Sequence, residues 1–397
     1  MGVFLKPILV KHERTLDELS GTYAVDAYNV LYQFLTIIRQ PDGTPLLNSK
    51  RQITSHLSGL FYRTCSLLEK NVTPIYVFDG EPSPLKAKTI AERVAAKAEA
   101  EELMKKARDE GRLEEAARLA QRTARLSRDM VKDGQRLLDA MGLPWVQAPS
   151  EGEAQCALMA QRGVVDAAAS QDFDALLFGA PKLVRNLTFS GRRKLPQRNM
   201  YVTVQPESYD LQENLAALGL TREQLVWAGI LIGTDFNEGV LGIGPKKALK
   251  LVQGCKTTDE VNQKLAELRA KALAPKEKKT RKSKKNAKDS EENQNAKEDE
   301  DAETEEGAVQ SIPHPPHPAV SVLPLPSVDF AALEELFLRP KYTEVSKADL
   351  RRKPVDIAAV KKIMVDENDF SDERVTATLE RAFKNADEKQ GTLGQWT

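Results

Sequence analysis

Three apolar runs in this chain end in carboxylates. Tyr23-Ala24-Val25 runs into Asp26, and Pro74-Ile75-Tyr76-Val77-Phe78 runs into Asp79. A third run, residues 164–169, is followed by Asp172 and Asp174. Each run has strand length, and segments of helical pattern, 27–39 and 51–70, lie between the first two. Strand, helix and strand at this spacing make βαβ units, so the chain is predicted to be α/β with a mostly parallel sheet flanked by helices. In such a sheet, ligands collect beyond the carboxyl ends of the strands. Three strands therefore deliver acids to one rim, and Glu151 and Glu153, which open a predicted helix, and Asp235, which follows another, are candidates to join them. That much like charge repels itself unless cations are bound. The predicted chemistry is a divalent-metal site acting on a phosphate ester.

Other chemistries are poorly supplied. The 3 cysteines, Cys65, Cys156 and Cys255, form no CxxC pair, which excludes a zinc ribbon or disulfide framework and predicts buried apolar roles. Of the 4 histidines, His314 and His317 lie in a Pro-rich stretch, and His12 and His56 have no ligand spacing. Catalysis thus falls to carboxylates, Lys, Arg, Tyr and metal-bound water. The formal net charge of +0 hides segregation: a basic block (276–288) adjoins an acidic one (289–306). No apolar run is long enough to span a bilayer, and the N-terminus lacks a secretory layout. Lys6 stands where a myristoylation motif needs Ser or Thr. A soluble intracellular protein is expected.

Composition divides the 397 residues into six parts. Residues 1–85 form the first half of the α/β core. Residues 86–140, rich in Ala, Glu, Lys, Arg and Leu, predict two or three helices interrupted at Gly111 and Gly134. Residues 141–274 complete the core. Residues 275–325 are too polar and Pro-rich to repay the entropy of ordering, and are expected to be a disordered insertion. Residues 326–384 return to helix, and 385–397 form a tail.

Several constellations refine the site. Asp172 and Asp174, read as extended backbone, point the same way and reach one ion. Ser150-x-x-Glu153 is a capping box, so Glu151 and Glu153 serve either a helix start or a metal; in the company of the other acids, ligation is the reading. Gly242-Ile243-Gly244-Pro245-Lys246-Lys247 opens a helix whose free amides and lysines suit a phosphate backbone. Lys86 and Arg93, seven apart, are placed to steady phosphate charge. Tyr32 and Arg39, also seven apart, follow Asp26 on its helix; Tyr32 is either core or a stacking surface for an unpaired base. Arg118, Arg122, Arg125 and Lys132 are read along one helical face, as a solvated stripe or a nucleic-acid contact.

The segments Ala24-Val25-Asp26-Ala27, Tyr32-Gln33-Phe34-Leu35, Val77-Phe78-Asp79-Gly80, Ala148-Pro149-Ser150-Glu151-Gly152-Glu153-Ala154, Ser170-Gln171-Asp172-Phe173-Asp174 and Gly242-Ile243-Gly244-Pro245-Lys246 resemble, in order, those of the flap endonucleases, members of the XPG-type 5′-nuclease superfamily. The resemblance spans nearly the whole chain outside 275–325, and the short N-terminus before Asp26 resembles archaeal members. It implies a PIN-like core, a helical arch (86–140) that a 5′ strand threads, and a helix–two-turn–helix element that grips duplex and often holds K+. It implies two Mg2+ ions, with Mn2+ able to substitute. Asp79, Glu151 and Glu153 would hold the first, assisted by Asp26; Asp172, Asp174 and Asp235 would hold the second. Lys86 and Arg93 match residues beside the scissile phosphate, and Tyr32 matches the aromatic that stacks there.

The implied activity is metal-dependent 5′ flap endonuclease and 5′–3′ exonuclease cleavage in Okazaki-fragment maturation and long-patch repair, leaving a 5′-phosphate. Branched DNA would be bound by a monomer, cytoplasmic in an archaeon and nuclear in a eukaryote. Gln390, Leu393 and Trp396 resemble a sliding-clamp-binding peptide, with Thr397 where a second aromatic is usual.

Overall fold

A computed structural model describes residues 2–40, 43–189, 191–194, 201–273 and 330–393. The whole 275–325 segment, the basic and acidic blocks included, and Trp396 lie outside them. The strands are β1 His12–Glu13, β2 Gly21–Asp26, β3 Val72–Phe78, β4 Trp145–Gln147, β5 Ala167–Ala169, β6 Lys182–Arg185, β7 Gly191–Lys194, β8 Tyr201–Val204 and β9 Glu207–Asp210. The helices are α1 Ala27–Ile37, α2 Ser55–Glu69, α3 Ala87–Asp109, α4 Leu113–Arg122, α5 Arg128–Ala140, α6 Gly152–Gln161 and α7 Asp174–Leu177. There follow α8 Leu211–Leu218, α9 Arg222–Ile232, α10 Pro245–Val252, α11 Thr258–Leu273, α12 Ala331–Leu338, α13 Ile357–Lys361 and α14 Asp372–Leu393.

Seven strands form one sheet in the order β1-β9-β6-β5-β2-β3-β4, and β7 pairs with β8 in a separate hairpin. Strands β2 to β6 are parallel; β9 runs antiparallel to β6, and β1 antiparallel to β9. The chain moves from β2 outward through β3 to β4, then returns to lay β5 on the other side of β2. The winding direction therefore switches at β2, the place where an open α/β sheet forms its ligand crevice.

Alternation along the strands builds two cores. Tyr23 and Val25 of β2 and Tyr76 and Phe78 of β3 pack with Phe34 of α1, Phe61 of α2, Leu137 of α5 and Leu379 of α14. Their neighbours Ala24, Ile75 and Val77 face the other way, toward Ala157 of α6, Ile230 of α9, Leu251 of α10 and Phe337 of α12. With both faces covered, the strands read as continuous apolar runs. Each fully buried aromatic contributes about 1.5–3 kcal/mol. The three cysteines are free and buried, as expected.

Some boundaries differ from the sequence reading. The helix expected over 51–70 begins at Ser55. Asn48 and Gln52 first close a turn (Asn48 N to Gln52 O 3.0 Å) with Arg51 at φ 61°. Residues 86–140 do form three helices. Gly111, at φ 72°, separates α3 from α4, but Gly134 interrupts nothing. It lies inside α5, where a Cβ would stand 3.4 Å from Leu60 of α2 and 3.7 Å from Leu31 of α1, in ordinary contact with both. Helix α3 buries only Ala100 and Ala107 along its 23 residues and pairs with α4, standing away from the sheet. The four-residue basic stripe is not one helical face: α4 ends at Arg122, Arg125 lies in the following loop, and Lys132 is on α5 after Ser127 caps its start. Among the described residues, no single helix is long and apolar enough to cross a membrane.

Candidate active site

Asp26 closes β2 and caps α1, accepting a bond from Asn29 N at 3.0 Å. Asp79 follows β3 and accepts Gly152 N, the first amide of α6, at 2.6 Å. Glu151 immediately precedes α6 and receives the Lys86 ammonium. Glu153, in the first turn, accepts Ser170 Oγ at 2.5 Å. Asp172 accepts Asn29 Nδ2 at 3.0 Å and the amide of Gly2 at 3.1 Å, and Asp174 accepts the amide of Val3 at 2.6 Å. Asp235, beyond α9, accepts from Arg93 Nη2 at both carboxylate oxygens, at 2.7 and 2.8 Å.

The crevice is short of positive charge. Burial pushes Asp26 up to about 8, helped by the charge of Asp79. Burial lifts Asp79 to about 6, with the Gly152 amide working against the rise. Asp174 reaches about 7 through burial and the charge of Asp172. Glu153 rises well above the usual carboxylate range through burial and the charges of Asp172 and Asp174. Asp235 is the exception: burial pushes it up, but nearby positive charge, including Arg93 and Lys86, holds it below its ordinary value. Lys86 is held above its ordinary value despite burial, chiefly by Glu151, and its ammonium sits 4.8 Å from the centre of the Phe236 ring.

Among the described residues no three His, Cys, Asp or Glu side chains close on a single point as they stand. Lys86, Arg93 and the amides of Gly2, Val3 and Gly152 occupy carboxylate oxygens instead. The donor set nonetheless suits a hard divalent ion: all seven are carboxylates, no thiolate or imidazole intrudes, and several are short of compensating charge.

Two local expectations need correction. Asp172 and Asp174 are not on extended backbone. Asp174 is the first residue of α7, preceded by Phe173 in helical conformation; the turn, held by Ser170 Oγ accepting Asp172 N at 3.1 Å, directs both acids inward. The capping box does not form. Glu151 occupies the cap position without a side-chain cap bond, and Ser150 Oγ donates to Glu81 O at 2.9 Å.

The predicted nucleic-acid contacts are also placed. Tyr32 is half-buried, with the Lys97 ammonium 4.9 Å from its ring centre. Arg39 lies past the end of α1 rather than on it, and its guanidinium donates to Leu35 O (3.1 Å) and Gly43 O (2.8 Å), bracing the turn there. Arg118 and Arg122 lie on α4, and Arg125 pairs with Glu101 of α3 at 2.8 Å. Gly244 precedes α10, Pro245 is its first residue, and Lys246 and Lys247 follow; Lys247 Nζ donates back to Gly242 O at 2.8 Å. Gln390 and Leu393 fall within the last turns of α14.

Sequence reasoning missed the groups that orient the acids: Gly2, Val3, Asn29 and Ser170. A Cβ on Gly2 would stand 2.7 Å from Asp172 Cβ, so only glycine fits there. It also missed Lys97, one helical turn from Arg93 on α3, a spacing that would have revealed it. Burial, Arg125 and Arg93 all lower its pKa, and Arg93 and Arg39 also act on Tyr32.

The chain is similar to known proteins along its length. Residues 1–100 match the XPG N-terminal domain and residues 142–235 the XPG I-region. Flap endonuclease 1 of Aeropyrum pernix is 42% identical over 406 residues, covering 100% of this chain and 99% of the relative. That of Pyrococcus furiosus is also 42% identical, over 401 residues, covering 100% and 99%. The structure of flap endonuclease-1 from Methanococcus jannaschii is 34% identical with a TM-score of 0.65, covering 98% of this chain and 100% of that one. The catalytic core of Rad2 solved with DNA substrate shares the fold at 22% identity and a TM-score of 0.58, covering 95% and 97%. A strand-end carboxylate rim at the switch of an α/β sheet, together with full-length identity at this level, shows that the chain belongs to the flap endonuclease family.

Proposed function

We propose that this protein is a structure-specific endonuclease that hydrolyses DNA at 5′ flap junctions in replication and repair, with 5′–3′ exonuclease activity. The observation that carries the reading is the gathering of seven carboxylates from five regions of the chain onto the rim at β2. Asp79, Glu151 and Glu153, with Asp26, would hold one Mg2+, and Asp172, Asp174 and Asp235 a second. When bound, such ions activate water and stabilise charge on the attacking and leaving oxygens. Lys86 and Arg93 now spend their charge on Glu151 and Asp235. Were cations to neutralise those carboxylates, both side chains would be available to a scissile phosphate, whose developing charge they would steady.

Helices α3 and α4 are the arch, and Lys97, Arg118, Arg122 and Arg125 guide the phosphates of a threaded strand. The turn from Gly242 to Lys247 is the helix–two-turn–helix grip on duplex, and K+ is the ion it would hold. These contacts are to backbone and shape, so specificity follows the junction rather than the base sequence. Purified protein should cleave a double-flap substrate with Mg2+ and not with chelator, ahead of nicked, gapped and bubble duplexes. Equal cleavage of unbranched single strand, or none of the flap, would overturn the reading.

The same charge imbalance predicts a pH effect. The folded state holds protons on Asp26, Asp79 and Asp174 that the unfolded chain has released above about pH 4. Stability of metal-free protein therefore falls as pH rises through 6 to 8. Thermal unfolding in chelator should show a Tm lower at pH 8 than at pH 6 by on the order of 5 °C, and Mg2+ should restore it at pH 8. A Tm that climbs over that interval would contradict the account.

The tail is proposed as a sliding-clamp ligand through Gln390, Leu393 and Trp396. Leu393→Ala with Trp396→Ala should remove stimulation by the clamp and leave basal cleavage unchanged. Loss of basal cleavage would show that the tail has another role.

A further inference from the structure

Phe4 is unlike every other aromatic side chain whose surroundings are described. It is 59% exposed, while the rest are buried or half-buried. Single exposed apolar residues are ordinary on a protein surface. This one is held in place. Its neighbours Val3 and Leu5 are 2% and 0% exposed. Val3 N is fastened to Asp174, Leu5 N donates to Val3 O at 3.2 Å, and Ile8 N donates to Leu5 O at 3.0 Å. With buried side chains on both sides and a tied backbone, the ring has no inward alternative.

Its position is equally constrained. Val3 N lies 2.6 Å from Asp174 Oδ1, and consecutive Cα atoms are about 3.8 Å apart, so the Phe4 Cα lies within about 8 Å of that carboxylate. The next residues, Lys6–Ile8, pack on α10, whose start is the Gly-rich turn. Phe4 thus stands on the segment that joins the carboxylate rim to the proposed duplex grip. A benzyl ring offers nothing to a cation-seeking cluster of acids, but its face suits a nucleobase. One face of Tyr32 already carries the Lys97 ammonium.

We propose that Phe4 stacks on the base of a nucleotide flanking the cleaved phosphodiester and sets that nucleotide's position in the crevice. Stacking on an aromatic face tolerates any base, in keeping with recognition by shape. The proposal rests on the nuclease reading above; wild-type cleavage of the intact flap reports on that reading, and the cycle below reports on Phe4.

The test pairs protein variants with substrates that carry an abasic site, in turn, at each of the two nucleotides flanking the cleaved bond. Single-turnover rates are measured in Mg2+. Phe4→Ala should slow cleavage of the intact flap roughly tenfold or more. An abasic site at one of the two positions should slow the wild type by a similar factor and Phe4→Ala no further. Phe4→Trp should keep the wild-type rate, and its fluorescence should be quenched when flap DNA binds in Ca2+. Phe4→Ala cleaving like the wild type, or slowing that multiplies with the abasic effect at both positions, would overturn the proposal. Full rescue by Phe4→Leu would also overturn it, because leucine fills the space without a stacking face.

Discussion

Replacing Asp172 and Asp174 together by alanine should lower Mg2+-dependent flap cleavage by about a thousandfold or more, while flap binding stays within a few-fold of the wild type. Both acids leave β5 through one turn and face the crevice, and no neighbouring carboxylate replaces them. Folding should survive. The two acids raise Glu153 and, through Asp172, Asp26, so their removal relieves repulsion in metal-free protein even as Gly2 and Val3 lose their acceptors. Single-turnover kinetics, with binding measured in Ca2+, separate the two effects. Retained Mg2+-dependent cleavage by the double variant would remove these residues from the chemistry.

Gly80→Ala should destabilise the protein by about 2–4 kcal/mol and weaken Mg2+-dependent activity at the same time. A Cβ at this position would lie 2.3 Å from Ala148 O and 2.6 Å from the carbonyl carbon and oxygen of Pro149. These are backbone atoms and have no rotamer to retreat into. The loops are also tied to each other: Gly80 N donates to Ser150 O at 2.6 Å, and Ala148 N donates to Phe78 O at 2.8 Å. Opening them moves Asp79 away from the Gly152 amide and from Glu151. Denaturant unfolding reads the stability loss, and the Mg2+ concentration for half-maximal rate reads the site. Wild-type values of both would show that the loops yield at no cost. Gly111→Ala is the contrast, since nothing stands within 4 Å of a Cβ there and only its φ of 72° opposes the change.

Where the fold depended on local periodicity, it could be read from the chain. The strands leading to Asp26 and Asp79 and the Pro-initiated start of α10 all lie where the patterns place them. The antiparallel edge was missed, because β1 has two residues and β9 begins and ends on acids, so neither carries an apolar run. The supposed basic stripe failed for a related reason. A spacing of three, four and seven describes one face only while the helix continues, and nothing in Thr123 to Ser127 announces the stop at Arg122 as plainly as a glycine or proline would.

Sequence alone determined which carboxylates stand at strand ends, because an acid that follows a strand lies at its carboxyl end and parallel strands bring those ends to one edge. Tertiary structure alone decided what each acid touches. Val3 and Asp174 are separated by 171 positions and Asn29 and Asp172 by 143, and no periodicity along a chain reaches that far. Such bonds follow from the packing of whole elements, in which burial creates the demand for donors and the nearest amide, hydroxyl or ammonium meets it.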